Sequence, residues 1–326
     1  MTTYRAIQGM TVQSQTAAST AGQIWYDSAN EVFKLQKVLT AAWATGGTRS
    51  NATFRGASIG STSAAVASGG TQTPPLPSGP INNITELYNG TSWTGGNAAP
   101  LNLGYVTSGG TEAAGIVNTG ESPPGSGTST LHYASGTWTA GGTKTFAGQN
   151  SLGAGSQDNY ICIGGVFQPS YAPTNNVATY DGSSWTARTT YPISIATGGC
   201  SGNASLAYAY GGNSPPAVAT AADWSGTAWT TGTSMPTGTN NMAYNSAGPT
   251  TDVLSANGSP STPTSLIYNG TSWSTTAATS QAPPQAVMAG ATTSAGCVKW
   301  GGPGSNYQYT EEFTGGGPGS TTITVT

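Results

Sequence analysis

Tryptophan recurs along this chain at nearly constant intervals. Six tryptophans are separated by 50, 45, 47, 44 and 44 residues, and they are Trp43, Trp93, Trp138, Trp185, Trp229 and Trp273. A period of about 46 residues matches the size of one blade of a β-propeller. The spacing therefore predicts a single large repeat domain built from similar small sheets.

The residues around five of these tryptophans repeat as well. In most copies an Asn-Gly, Asp-Gly or Ser-Gly pair lies between two aromatic residues, as in Tyr88-Asn-Gly-Thr-Ser-Trp93 and Tyr180-Asp-Gly-Ser-Ser-Trp185. Such pairs supply the positive φ angles that tight turns need, so each phrase predicts a hairpin between two antiparallel strands. Two more short strands precede each phrase, for example at 152–155 and 160–163. Each repeat is therefore expected to have four strands.

Paired glycines end the second strand of most repeats. They are Gly69-Gly70, Gly164-Gly165, Gly211-Gly212 and Gly301-Gly302, with altered versions at Thr119-Gly120 and Ala256-Asn257. Glycine permits close backbone approach near a crowded axis. A double glycine after strand two, followed by an aromatic hairpin between strands three and four, resembles the kelch family. The resemblance covers residues 38–326 and implies an all-β, kelch-like β-propeller, for which we count six four-stranded blades.

The sequence leaves two candidates for the strand that closes the propeller. Either the segment around Trp43 or the C-terminal residues 321–326 can supply the outer strand of the last blade. A closing strand is needed because unpaired first and last blades would expose sheet edges.

Residues 1–37 fall outside the repeat and form the first of two expected domains, the second being 38–326. The sequence Gly22-Gln-Ile-Trp-Tyr-Asp-Ser-Ala-Asn-Glu-Val-Phe-Lys34 predicts a lone β-hairpin, which must pack on something else to be stable. It resembles short hairpins of phage tail-fibre proteins, and the whole arrangement resembles virion proteins of marine tailed phages. This implies an anchor that binds other virion proteins, a homo-oligomer such as a trimer, and a place in the virion after assembly in the host cytoplasm.

Charge and hydropathy exclude several other classes. Charged residues make up 6% of the chain, the net charge is −3, and the eight lysines and arginines are scattered. No basic stripe is available for nucleic acid. The apolar stretches are strand-sized, so no membrane insertion is expected. The N-terminal residues lack an apolar core with a cleavage site, so the usual secretory route is not expected.

The chemistry of the side chains argues against an enzyme. His132 is the only histidine, so a histidine-based triad or metal centre is not expected, and no cofactor is predicted. Glu311 and Glu312 are the adjacent carboxylates, but neighbouring residues of a strand point to opposite faces and cannot serve one site.

The loops between the second and third strands are rich in proline, which stiffens them for binding. They carry aromatic and amide side chains that suit a polar, uncharged ligand such as a sugar. The predicted ligand-binding residues are Phe167, Gln168, Tyr171, Asn213, Asn306 and Tyr307.

Three functions fit these observations. The first is a non-catalytic virion protein of tail-fibre type that contributes to attachment to a host surface polysaccharide. The second is a capsid or tail decoration protein without a receptor, and the third is a cell-surface lectin. The stiff loop face favours adhesion.

Overall fold

The computed structural model describes residues 13–14, 24–27, 31–72, 80–122, 125–167, 170–290, 293–302 and 308–322. Within these residues every regular element is a β-strand. The chain divides into two compact units, one comprising Met1–Ala42 with Gly315–Thr326 and the other Trp43–Thr314. Strands are numbered in chain order.

The smaller unit contains one four-stranded sheet that joins both ends of the chain. Its strands are β1 (Gln13–Ser14), β2 (Ile24–Asp27), β3 (Val32–Leu39) and β33 (Gly317–Thr322), in the order β1-β2-β3-β33. The predicted hairpin is present as β2 and β3, although residues 28–30 of its turn lie outside the described residues. It is not a lone hairpin, because β33 pairs with the free edge of β3 and satisfies its backbone groups.

The larger unit is a β-propeller of six blades, each with four antiparallel positions. Blade 1 has β5 (Thr53–Phe54) and β6 (Ala57–Ser61) sharing the innermost position, then β7 (Ala64–Gln72), β8 (Ile81–Tyr88) and β9 (Trp93–Gly96). Blade 2 has β10 (Thr107–Thr111), β11 (Ala114–Asn118), β14 (Thr130–Ala134) and β15 (Thr137–Ala140). Blade 3 has β16 (Leu152–Ser156), β17 (Asn159–Ile163), β20 (Val177–Tyr180) and β21 (Trp185–Arg188).

The remaining blades follow the same order. Blade 4 has β22 (Gly199–Gly202), β23 (Ala207–Tyr210), β24 (Ala221–Trp224) and β25 (Trp229–Thr231). Blade 5 has β26 (Ala243–Tyr244), β27 (Val253–Ala256), β28 (Ser265–Tyr268) and β29 (Trp273–Thr275). Blade 6 has β30 (Val287–Ala289), β31 (Cys297–Trp300), β32 (Thr310–Thr314) and β4 (Ala42–Thr45). Short hairpins β12–β13 (Glu121–Ser122, Gly125–Ser126) and β18–β19 (Val166–Phe167, Ala172–Pro173) extend blades 2 and 3.

The innermost strands contact one another around a closed ring, including β30 of blade 6 against β6 of blade 1. The outer strand of blade 6 is β4, so the Trp43 segment closes the propeller. Of the alternative segment 321–326, the described residues Thr321 and Thr322 belong to β33. The sequence left this choice open, and the strand pairing decides it.

The six repeat tryptophans connect neighbouring blades, as expected for residues that pack between blades. Each indole N–H donates to the preceding blade or to the linker that follows that blade. The acceptors are Ser265 and Ala277 for Trp43, Thr310 for Trp93, Asn97 for Trp138, Thr130 for Trp185, Thr189 for Trp229, and Thr233 with Tyr208 for Trp273.

The repeated turns use their two key residues differently. In the first phrase Gly90 has a φ of 92°, while the Asn89 side chain accepts hydrogen bonds from the backbone N–H groups of Thr91 and Ser92, both at 2.9 Å. Of the pair predicted to supply positive φ angles, only the glycine does so, and the asparagine holds the turn through its side-chain oxygen.

The paired glycines allow successive blades to approach closely. Gly164 and Gly165 both have positive φ, and a Cβ on Gly164 would overlap the carbonyl oxygen of Ile195 in the next blade. In blade 5 the residues with positive φ are Asn257 and Gly258 rather than the predicted Ala256-Asn257. The prediction was displaced by one residue because asparagine also tolerates the left-handed conformation.

Buried ion pairs lie in the two blades that meet at the closure. In blade 1, Arg49 Nη2 lies 2.9 Å from Glu86 Oε2, and in blade 6, Lys299 Nζ lies 2.7 Å from Glu311 Oε2. All four side chains are buried. The positions equivalent to Glu86 and Glu311 in blades 2 to 5 are apolar: Leu131, Ala178, Ala222 and Leu266.

Candidate ligand-binding site

One residue at the entrance of each innermost strand has a left-handed backbone conformation without being glycine. These residues, which we call the αL ring, are Arg55 (φ 58°), Tyr105 (55°), Asn150 (58°), Thr197 (58°), Asn241 (53°) and Gln285 (67°). The conformation costs roughly 1–2 kcal/mol for an L-residue other than glycine or asparagine. It is least favourable for a β-branched residue such as Thr197. Strain of this kind clusters at functional sites.

Backbone hydrogen bonds link the αL ring from blade to blade. In five of the six residues the N–H donates to the carbonyl of the preceding ring residue, at 2.9 Å for Tyr105 to Arg55, 3.0 Å for Asn150 to Tyr105, and 2.8 Å for Thr197 to Asn150, Asn241 to Thr197 and Gln285 to Asn241. These bonds use backbone groups only. Three ring side chains have partners of their own, since Arg55 donates to Asn241, Asn241 donates to Asn240 and Thr197 donates to the Ala196 carbonyl. The amides of Asn150 and Gln285 stay available to a ligand.

All six ring residues line a central cavity of about 100 Å³. Six blades therefore contribute to one opening, and its wall also includes Ser58, Tyr244 and Met288. The volume holds several water molecules or a small polar group. A larger ligand would insert one group and leave the rest on the surface.

Arg55 is the charged side chain among the residues that line this cavity. Its guanidinium carbon lies 4.6 Å from the ring centre of Tyr105 and 5.9 Å from that of Phe54. Nη2 donates to Asn241 Oδ1 across the opening at 3.4 Å, and the buried Nε has no hydrogen-bond partner. Burial lowers the pKa of Arg55 from its ordinary value, but a guanidinium remains protonated in proteins.

Two of the predicted binding residues lie on the β18–β19 hairpin of blade 3. Phe167 is 47% exposed and Tyr171 is 59% exposed, and Tyr171 N–H donates to the Phe167 carbonyl at 2.8 Å. Backbone bridges join Val166 to Gln149 and Thr174 to Ile195. These bridges fix the hairpin beside the entrances of blades 3 and 4.

Asn213, a third predicted residue, also lies next to the αL ring. It exchanges backbone hydrogen bonds with Ala196, at 2.7 and 3.1 Å, and Ala196 directly precedes Thr197. The other predicted residues, Gln168, Asn306 and Tyr307, lie outside the described residues.

These features share one face of the propeller, which we call the entrance face. In every blade the first strand begins where the antiparallel second strand ends, as the pairing of Leu152 with Ile163 shows in blade 3. The αL ring precedes the first strands, and the hairpin and Asn213 follow the second strands. The predicted loop residues and the ring therefore lie at the same ends of the blades.

Sequence reasoning missed the αL ring. A signal was present, because each ring residue lies twelve positions after one of the six repeat tryptophans, from Trp43 and Arg55 to Trp273 and Gln285. The position holds a different kind of polar side chain in most repeats, so it carries no recognisable phrase.

The reactive side chains singled out in the sequence have structural partners elsewhere. His132 Nε2 lies 3.0 Å from the Tyr180 hydroxyl, and burial lowers the pKa of His132. Glu311 is buried against Lys299, while Glu312 accepts a hydrogen bond from the Tyr88 hydroxyl. Both glutamates lie in β32, so their side chains alternate as predicted.

Two kinds of feature are absent from the described residues. These residues contain no group of three histidine, cysteine or carboxylate side chains arranged to hold a metal ion. They also contain no helix long and apolar enough to cross a membrane.

Comparison with known proteins supports the fold. No protein family and no curated protein matches the sequence. Among solved structures, that of YjhT superimposes with a TM-score of 0.61 at 9% sequence identity, covering 82% of this chain and 96% of that chain. At this identity the similarity establishes a β-propeller and carries no inference about the ligand.

Proposed function

We propose that this chain is a non-catalytic adhesion protein that binds a surface glycan with the entrance face of its propeller. The observation that carries the proposal is the position of the β18–β19 hairpin beside the αL ring. Exposed aromatic side chains and a cavity lined by polar groups thus occupy one face. Ligand sites commonly combine an apolar surface with a few fixed polar groups.

The ring side chains suit a sugar. Asn150 and Gln285 each offer an amide donor and acceptor, and the Thr197 hydroxyl, which donates to the Ala196 carbonyl, can still accept a hydrogen bond. Phe167 and Tyr171 provide flat apolar surfaces on which a sugar ring can stack. The strained backbone fixes these groups before the ligand arrives, which lowers the entropy lost on binding.

The absence of catalysis is part of the proposal. His132, Glu311 and Glu312 are held by other side chains away from the central cavity. Arg55 has no carboxylate within the cavity wall to act with it. Binding without turnover is the function these contacts support.

The proposed setting is a phage particle, in a tail-fibre role, and it is supported by the resemblance of residues 24–34 to tail-fibre hairpins. In this setting the smaller unit binds other virion proteins and the chain forms a homo-oligomer such as a trimer. The propeller then contacts polysaccharide on the host surface. Decoration of the capsid or tail, without a receptor, is the alternative within the same setting, and a cell-surface lectin is the alternative outside it.

Binding of the whole chain to an array of bacterial polysaccharides tests the adhesion proposal. We expect a Phe167→Ala, Tyr171→Ala double variant to lose at least tenfold in affinity, since stacking groups dominate small interfaces. The control is Leu206→Ala, because Leu206 is 54% exposed in the β22–β23 turn at the opposite ends of the blades. Unchanged binding by the double variant, or no binding to any polysaccharide, would contradict the proposal.

Immunogold labelling of purified phage particles tests the setting. Antibody against residues 43–314 is expected to label tail or fibre tips. Label on the head would favour the decoration protein. Particles without any label would contradict the phage setting and leave the cell-surface lectin as the remaining proposal.

A further inference from the structure

Arg55 is a cation at the centre of the propeller without a counter-charge. Among the described residues, no aspartate or glutamate lines the cavity, and the guanidinium contacts two neutral side chains, Asn241 through a 3.4 Å hydrogen bond and Tyr105. The other buried cations of the propeller's closure differ in this respect. Arg49 and Lys299 each have a carboxylate oxygen within 3 Å.

An unpaired, partly buried cation destabilises the folded protein. Removing a charge from water costs free energy unless an opposite charge or several hydrogen bonds replace the lost hydration. For Arg55 one donor, Nε, is buried with no partner at all. The charge and the orphaned donor both call for an anionic acceptor, which the described residues do not supply.

The guanidinium is also held in place by Tyr105. Its carbon lies 4.6 Å from the Tyr105 ring centre, and the Tyr105 N–H donates to the Arg55 carbonyl at 2.9 Å. A planar guanidinium binds carboxylates and other oxyanions through two parallel N–H bonds. Neutral donors from Asn150 and Gln285 line the same cavity and can satisfy further oxygen atoms.

From this geometry we infer that the central cavity binds the oxyanion group of an acidic ligand, a carboxylate, sulfate or phosphate, through Arg55. The inference rests on the proposed glycan-binding function and adds a charge to a ligand that the sequence predicted to be uncharged. The cavity of about 100 Å³ admits such a group but not a whole sugar chain. The remaining sugars would then lie toward the β18–β19 hairpin.

Thermal unfolding of the whole chain tests this inference with glucuronate, inorganic sulfate and uncharged glucose as probes, at matched ionic strength and up to about 50 mM. We expect glucuronate to raise the unfolding temperature by about 2 °C and glucose to leave it unchanged. Sulfate distinguishes a free inorganic oxyanion from an oxyanion carried by a sugar. A shift with sulfate as well shows that a free oxyanion is sufficient, and a shift with glucuronate alone shows that the sugar is required.

Arg55→Gln should abolish the shift, because glutamine keeps a polar side chain of the kind already present at Gln285 but removes the charge. The matched control is Arg188→Gln, in which the arginine lies on the outer strand β21 and contacts Thr179. Arg188→Gln should respond like the wild type. Equal shifts in wild type and Arg55→Gln, equal effects of glucose and glucuronate, or no shift with either anion would each overturn the inference. If the oxyanion inference is wrong but the adhesion proposal is right, the protein should still bind neutral polysaccharides on the array, and this binding should depend on Phe167 and Tyr171. Failure of the oxyanion inference is therefore distinguishable from failure of the adhesion proposal.

Discussion

The buried pair in blade 6 should respond asymmetrically to removal of its two partners. Lys299 is fully buried, with Nζ 2.7 Å from both Glu311 Oε2 and Asn257 Oδ1. Lys299→Met leaves a buried carboxylate without its cation, which typically costs about 3–5 kcal/mol of unfolding free energy. Glu311→Gln retains an oxygen that can accept from Ser280 N–H and Oγ, and it leaves the lysine, which can release its proton.

The pKa of Lys299 sets the size of the second effect. Burial lowers this pKa to about 8 although Glu311 acts to raise it. At pH 7, which is about one unit below this pKa, removing the proton from Lys299 costs about 1.4 kcal/mol. Glu311→Gln is expected to cost about that amount at pH 7. As the pH rises through about 8, wild-type Lys299 also loses its proton, so the difference between variant and wild type should shrink nearly to zero by about pH 9.

Equilibrium unfolding in urea at pH 7 and pH 9 measures both effects. Glu112→Gln, in the turn between β10 and β11, provides a control for the loss of a carboxylate outside an ion pair. The control should stay within about 0.5 kcal/mol of wild type at both pH values. Equal losses for Lys299→Met and Glu311→Gln at pH 7 would refute the reasoning. So would a Glu311→Gln deficit that is the same at pH 9.

Three further predictions concern the backbone and the tyrosines. Thr197→Asn should raise the unfolding free energy by about 0.5–1 kcal/mol, because asparagine tolerates a φ of 58°, whereas Thr186→Asn on an exposed strand should not; urea unfolding compares them. Gly164→Ala should lower the unfolding free energy by more than about 2 kcal/mol in the same assay, since the φ of Gly164 is 60° and a Cβ would overlap a carbonyl of blade 4. Gly95→Ala is the control and should be nearly neutral, because Gly95 has open space around it. Burial raises the pKa of tyrosines such as Tyr210 well above 10. The free energy of unfolding that their neutral form contributes is therefore fully present below about pH 10 and is lost as the pH rises through the raised pKa. Phenolate absorbance should appear together with unfolding, and phenolate formation in the folded protein would contradict this.

Most of the propeller could be predicted because its structural residues are periodic. The tryptophans and glycines occupy the same place in each blade, so their spacing gave the blade count and the hairpins. The closing strand could not be chosen, because two short terminal segments offered similar backbone. Trp43 was nevertheless a member of the tryptophan series, and its indole contacts with blade 5 are those of the other five.

The candidate site was less accessible to sequence reasoning for a physical reason. Phe167, Tyr171 and Asn213 were found because aromatic and amide residues in a proline-rich loop are recognisable by type. The αL ring depends on backbone dihedral angles at six distant positions, which no local phrase encodes. Arg55 in particular becomes a candidate ligand contact only when the structure shows that no described acidic residue lines the cavity beside it.

The difference between repeats at the ring position supports a role in recognition rather than in folding. All six residues share the same left-handed backbone conformation, which glycine and asparagine adopt with the least strain. Four of the six are neither: Arg55, Tyr105, Thr197 and Gln285. If the ring served only to begin the innermost strands, glycine or asparagine at these four positions would begin them with less strain. All of them line one cavity, so the proposed ligand would contact them together, and this contact would offset the strain that a purely structural account leaves unexplained.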